Sequence, residues 1–103
     1  MRESPYKPAV HLFVCANARP ATDPLGAGCG ARGEEVFLAA KAEVRARGLG
    51  ASVWVTRTHC LGICPARGCA VASYTERGGV RAAGLLTEVE AVDLGEILDK
   101  TRP

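Results

Sequence analysis

Thr58-His59-Cys60-Leu61-Gly62-Ile63-Cys64-Pro65-Ala66-Arg67-Gly68-Cys69 is the stretch from which the rest of the chain can be read. It carries three of the five cysteines, spaced C-x3-C-x4-C, and its glycines and proline break regular structure. The run before it, Ser52–Arg57 (SVWVTR), is rich in β-branched and aromatic residues and reads as a strand. The run after it, Ala70–Thr75 (AVASYT), reads as another. A thiol-bearing loop between two strands is therefore the centre of the molecule.

Working outward, Glu34–Arg47 (EEVFLAAKAEVRAR) has helical periodicity, with Val36, Phe37, Ala40 and Val44 on one face. Gly33 is the expected N-cap, with Glu34 and Glu35 favouring the positive helix end. Glu43 and Arg47 form an i,i+4 pair, and Gly48 suits the left-handed position that ends a helix. Ala9–Val14 is a short, near-continuous apolar run closed by Cys15, which reads as a strand covered on both faces. His11 interrupts it and reads as a core-edge or surface residue. Strand, helix, strand in that order is a βαβ unit, so the first two strands should be parallel. Their C-terminal ends then share one sheet edge, which brings the loop after Cys15 to the loop holding Cys60.

Between Cys15 and the helix, residues Ala16–Gly33 hold two prolines, four glycines and Cys29, and read as a long functional loop. Downstream, Glu76–Gly79 is a hairpin turn and Val80–Ala83 a short fourth strand. Thr87 with Glu90 is the expected capping box of a last helix, whose apolar face is Ala91, Leu94, Ile97 and Leu98. Gly95 weakens that helix. The reading is a single α/β domain over residues 1–103, in the order β-α-β-β-β-α with a mixed sheet, and with residues 1–8 as a flexible tail.

Composition narrows the function. With 48% hydrophobic residues the chain can build a core without crosslinks, so the cysteines are not needed as staples. A net charge of +2, from 13 basic and 11 acidic residues, is too balanced for a nucleic-acid footprint. No apolar run reaches transmembrane length and Met1–Pro8 is polar, so the expected setting is the cytoplasm, where thiols stay reduced. No Ser/His/Asp constellation, phosphate loop or isolated carboxylate pair marks an enzyme.

The thiols themselves point to metal. A zinc site usually shows two short cysteine knuckles, whereas 13 residues separate Cys15 from Cys29. A thioredoxin-type dithiol needs C-x-x-C, and Cys60 and Cys64 are one residue further apart than that. A Rieske centre needs two histidines, and plant-type ferredoxin spacing is absent. Spacing favours an iron–sulfur site, and leaves open a zinc-stabilised interaction module or a thiol oxidoreductase using Cys60 and Cys64.

Three motifs sharpen this: Cys15-Ala16-Asn17-Ala18-Arg19, Gly28-Cys29-Gly30-Ala31-Arg32-Gly33, and Thr58-His59-Cys60-Leu61-Gly62-Ile63-Cys64. Together they resemble those of the thioredoxin-like [2Fe–2S] ferredoxins, and the resemblance runs from Val10 to Leu98. That family is similar to the peripheral [2Fe–2S] subunit of NADH dehydrogenases, which has a shorter first cysteine spacing. The resemblance implies a thioredoxin-like fold and a surface-near [2Fe–2S] cluster on Cys15, Cys29, Cys60 and Cys64. It also implies one-electron transfer and a homodimer. Cys69 departs from the pattern and reads as a small buried hydrophobe. Arg19, Arg32, Arg57, His59 and Arg67 belong to or flank the cysteine loops, where they could ring the cluster and steer an acidic patch on a redox partner.

Overall fold

In a computed structural model the described residues are 1–19, 22–24, 28–59, 61–63 and 65–101. Strand β1 (Val10–Cys15) leads to helix α1 (Gly30–Ala46), then to β2 (Val53–Thr58), β3 (Cys69–Arg77) and β4 (Val80–Val89). A single 3₁₀ turn (Ala91–Asp93) opens into helix α2 (Leu94–Thr101). The sheet order is β2-β1-β3-β4. β1 pairs parallel with β2, as the βαβ reading requires, and antiparallel with β3, while β3 and β4 form an antiparallel hairpin.

Side-chain alternation assigns the two faces of the sheet. Val10, Leu12 and Val14 of β1 and Val53 and Val55 of β2 are buried beneath α1, which turns Val36, Phe37, Ala40 and Val44 onto them. Helix α2 lies against α1 and adds Leu94, Ile97 and Leu98 to the same core. Burying each large aliphatic side chain contributes about 1.5–3 kcal/mol, so this layer is the main source of stability. The opposite face carries His11, Phe13, Trp54 and Tyr74, an aromatic row in which His11 stacks on Phe13 at 4.0 Å. Among the described residues no helix covers that face.

Arg47 fastens the helices to one another. It donates to Glu43 Oε1 (2.9 Å), to Asp99 Oδ1 (2.7 Å) and to the Gly95 carbonyl (3.1 Å). The end of α1 is as expected. Gly48 is left-handed (φ 66°), its N–H donates to Arg45 O at 3.1 Å, and Leu49 N–H donates to Val44 O at 3.0 Å. That bonding pattern is the Schellman ending.

Three boundaries differ most from the sequence expectations. Helix α1 begins at Gly30 rather than Glu34, with Cys29 and not Gly33 as N-cap, so no acidic residue lies in its first turn. Gly30 and Gly33 look like breakers in the sequence but serve close packing in the fold. Strand β4 runs on to Val89 instead of stopping at Ala83, because β3 continues to pair with it as far as Cys69. Thr87 is consequently a strand residue, and the capping box is formed by Glu90 and Asp93, with Asp93 Oδ2 accepting from Glu90 N–H at 2.9 Å.

Candidate functional site

The site is built where three elements end. Cys15 is the last residue of β1, Cys29 is the N-cap of α1 and Cys69 is the first residue of β3. All three are outside any disulfide, with at most 1% of their surface exposed. Cys60 and Cys64, the other expected ligands, lie outside the described residues. Their loop is tied to the site on the side that is described. Cys15 stands opposite Thr58 in the parallel ladder, and Ala16 N–H continues that ladder to Thr58 O at 3.1 Å. The loop holding Cys60 therefore leaves the sheet beside Cys15.

Close backbone approaches hold the first cysteine loop. Gly30 N–H donates to Asn17 O at 3.0 Å, and Ala18 bridges to Gly28. A Cβ at Gly28, itself left-handed at φ 76°, would lie 2.2 Å from Asn17 O. A Cβ at Gly33 would lie 1.8 Å from Cys15 O. The glycines thus let the first turn of α1 sit directly on the end of β1. This carries Cys29 to Cys15 and leaves it as the N-cap of α1.

Charge is arranged around these thiols. Burial, reinforced by the neighbouring Cys29 and Cys15 and opposed by Arg32, pushes the Cys69 thiol up to about 12. Cys69 therefore keeps its proton, in accord with the reading of a small buried hydrophobe. Arg32 is bound to backbone carbonyls on both sides of the site: Gly28 at 2.9 Å and Pro65 at 3.3 Å, with Ala66 as a further acceptor. Arg57 makes a two-point pair with Glu34 (2.6 and 2.8 Å) and lies over the Phe37 ring at 4.2 Å. That pairing raises the Arg57 guanidinium and lowers the Glu34 carboxyl. Arg67 reaches Glu88 at 3.4 Å with most of its side chain in solvent. His59 is exposed, and Arg19 is half-buried with its guanidinium carbon beside Gly28. Of the expected ring of cations, Arg32 and Arg57 are thus engaged within the fold. A helix starting at Glu34 leaves Arg32 outside it and gives no sign of its carbonyl-binding role. Once Cys29 is taken as the N-cap, Arg32 falls in the first turn, beside both loops.

Among the described residues no three His, Cys, Asp or Glu side chains converge closely enough to hold a metal by themselves. The donor set is nevertheless suited to iron. Cys15 and Cys29 supply soft, buried thiols from two elements, with glycine backbone close by.

A mixed four-stranded sheet, helices on one face and free thiols at the strand ends define a small thiol-bearing α/β domain of thioredoxin-like architecture. Solved structures of thioredoxin-like [2Fe–2S] ferredoxins resemble it. The wild-type thioredoxin-like [2Fe–2S] ferredoxin from Aquifex aeolicus matches with a TM-score of 0.70 and 30% identity, over 91% of this chain and 85% of that one. A second structure of the Aquifex aeolicus ferredoxin gives 0.71 and 30%, over 91% and 80%. A cysteine-to-serine variant of it gives 0.69 and 30%, over 88% and 84%. No family model and no curated protein matches the sequence. The chain belongs to the thioredoxin-like [2Fe–2S] ferredoxin family.

Proposed function

We propose that this protein is a one-electron carrier that holds a [2Fe–2S] cluster on Cys15, Cys29, Cys60 and Cys64. The observation that carries the reading is the convergence of the end of β1 and the start of α1, with their buried cysteines, on the loop that contains Cys60 and Cys64. Two cysteine-to-serine variants of the Aquifex ferredoxin fall at positions four apart, which is the separation of Cys60 and Cys64. Cys69 is buried and its thiol is raised to about 12, which disfavours a thiolate ligand at that position.

The cluster supplies the one-electron chemistry, and the chain supplies ligands, backbone donors and charge. Four thiolates around an oxidised core carry −2, and reduction takes the site to −3, so the potential should be low. Plant-type centres lie near about −400 mV. Cys15, Cys29 and Cys69 are outside any disulfide, which suits a reducing compartment such as the cytoplasm. The bare aromatic face, with Trp54 40% and Tyr74 52% exposed, supports a homodimer that covers it. Light scattering checks this: Trp54→Lys should shift the protein from dimer to monomer.

Anaerobic purification with a visible spectrum and iron and sulfide assays tests the main reading. A brown protein with two irons and two sulfides per chain is the expected result, lost in Cys60→Ser and Cys64→Ser. A colourless protein containing one zinc overturns the carrier reading in favour of a structural module.

A further inference from the structure

Helix α1 starts at one cysteine loop and holds the other. Arg32 lies in its first turn, three residues after Cys29. Its guanidinium donates to the carbonyls of Gly28, Pro65 and Ala66. Gly28 precedes Cys29 and Pro65 follows Cys64, so one side chain spans the immediate neighbours of two proposed ligands from different loops. The guanidinium is suited to this because it is planar and presents five donors in a fixed fork. A lysine ammonium is a compact point charge and cannot hold such dispersed carbonyls in one geometry. The bonds to Gly28 and Pro65 are part-buried, which strengthens them relative to the same bonds in water.

We infer that Arg32 is a positioning residue for the metal centre: it latches the Cys29 loop to the loop that follows Cys64, and it sets one fixed positive charge behind the thiolates. This rests on the ligand set proposed above. The charge lies close to the site, since Arg32 shares the first turn of α1 with Cys29 and donates to the Gly28 carbonyl at 2.9 Å. The two roles have separable consequences. The fork holds the loops at a set spacing whether or not iron is present. The charge favours the more negative, reduced state and so raises the potential.

The test uses the full chain as wild type, Arg32→Lys and Arg32→Met. In the iron-loaded protein, decay of the visible spectrum under a chelator and the midpoint potential are followed. In the iron-free protein, the rate of alkylation of Cys29 by iodoacetamide is read by mass spectrometry. Cys29 is 1% exposed, so its labelling reports opening of the loops. Arg32→Lys should lose the cluster and label Cys29 about tenfold faster than wild type, the scale of one lost charge-assisted hydrogen bond, with little change in potential. Arg32→Met should show the same acceleration together with a more negative potential. Wild-type rates for Arg32→Lys in either measurement overturn the latch, and an unmoved potential in Arg32→Met overturns the charge role. If the wild-type chain takes up no iron, the carrier reading fails on its own. The alkylation rates then still decide the latch, because they need no cluster.

Discussion

At Gly33 a single missing methyl group decides whether the thiols can meet. A Cβ there would lie 1.8 Å from Cys15 O, 2.8 Å from its carbonyl carbon and 2.9 Å from Ala16 Cα, all backbone. No side chain can rotate away to make room, so α1 must lift off the end of β1. Gly33→Ala should cost about 3 kcal/mol or more in urea unfolding of the iron-free protein. Gly50→Ala, with nothing within 4 Å and no left-handed φ, should stay within about 0.5 kcal/mol. Equal effects at the two positions would show that the close approach is not what holds the loop. Cys69 gives a pH signature at the same scale. Its thiol is raised to about 12 in the fold, against an unfolded value of about 8.5. The folded chain therefore keeps a proton that the unfolded chain gives up between those values. The stabilisation is full below the unfolded value and is lost as pH rises toward about 12. Iron-free Cys69→Ala should show a flatter alkaline decline in stability than wild type, followed by urea melts from about pH 8 to 11. An unchanged slope would mean that another group carries the decline.

At the scale of elements, the sequence speaks most clearly where periodicity and burial agree. The apolar face of α1, the Glu43–Arg47 pair, Gly48 at the helix end and the parallel β1–β2 pairing all follow from local pattern and appear as expected. The two ends of the chain's irregular segments were harder to read. Gly30 and Gly33 look like helix breakers, and only the tertiary contact with Cys15 and Ala16 explains why they are inside α1. The far half of β4 (Gly84–Val89) is exposed up to Glu88 and lacks clean alternation, so its strand character comes from pairing with β3 and not from its own residues. The ladder there has an irregularity between Cys69 and Val71, opposite Glu88 at φ 56°. Gly95 offers a check on the last helix. It has no left-handed φ, and a Cβ would meet only Arg47 Nη2 at 3.6 Å, an ordinary contact. Gly95→Ala should therefore stabilise the protein by about 0.5–1 kcal/mol in a thermal or urea melt, since alanine restores helix propensity without displacing the Arg47 bond to the position 95 carbonyl. A loss of stability would show that the backbone of α2 shifts when Arg47 is crowded.

For the molecule as a whole, the fold sorts its charges into those that hold structure and those that face outward. Arg57 is locked to Glu34 and stacked on Phe37, and Arg32 is bound to carbonyls, so neither presents a free charge to a partner. Arg67 differs. Its side chain is 75% exposed, its contact with Glu88 is 3.4 Å long, and it sits two residues before Cys69 in the second cysteine loop. Such an exposed pair contributes little to stability, typically about 0–1 kcal/mol, but its cation still shapes the local potential. If that potential steers redox partners, small charged acceptors should report it. Oxidation of the reduced protein by ferricyanide, an anion, should slow in Arg67→Glu, and oxidation by cobalt(III) hexaammine, a cation, should quicken. Both differences should shrink with added salt, because the Debye length falls from about 10 Å at 0.1 M to about 3 Å at 1 M. Arg57→Glu should instead act through stability, since it sets a second carboxylate beside Glu34. The visible spectrum of Arg67→Glu should match wild type, which separates steering from damage to the site. Rates that ignore both the substitution and the salt would leave Arg67 as a solvated charge, and an acidic docking patch on the partner would lose its support.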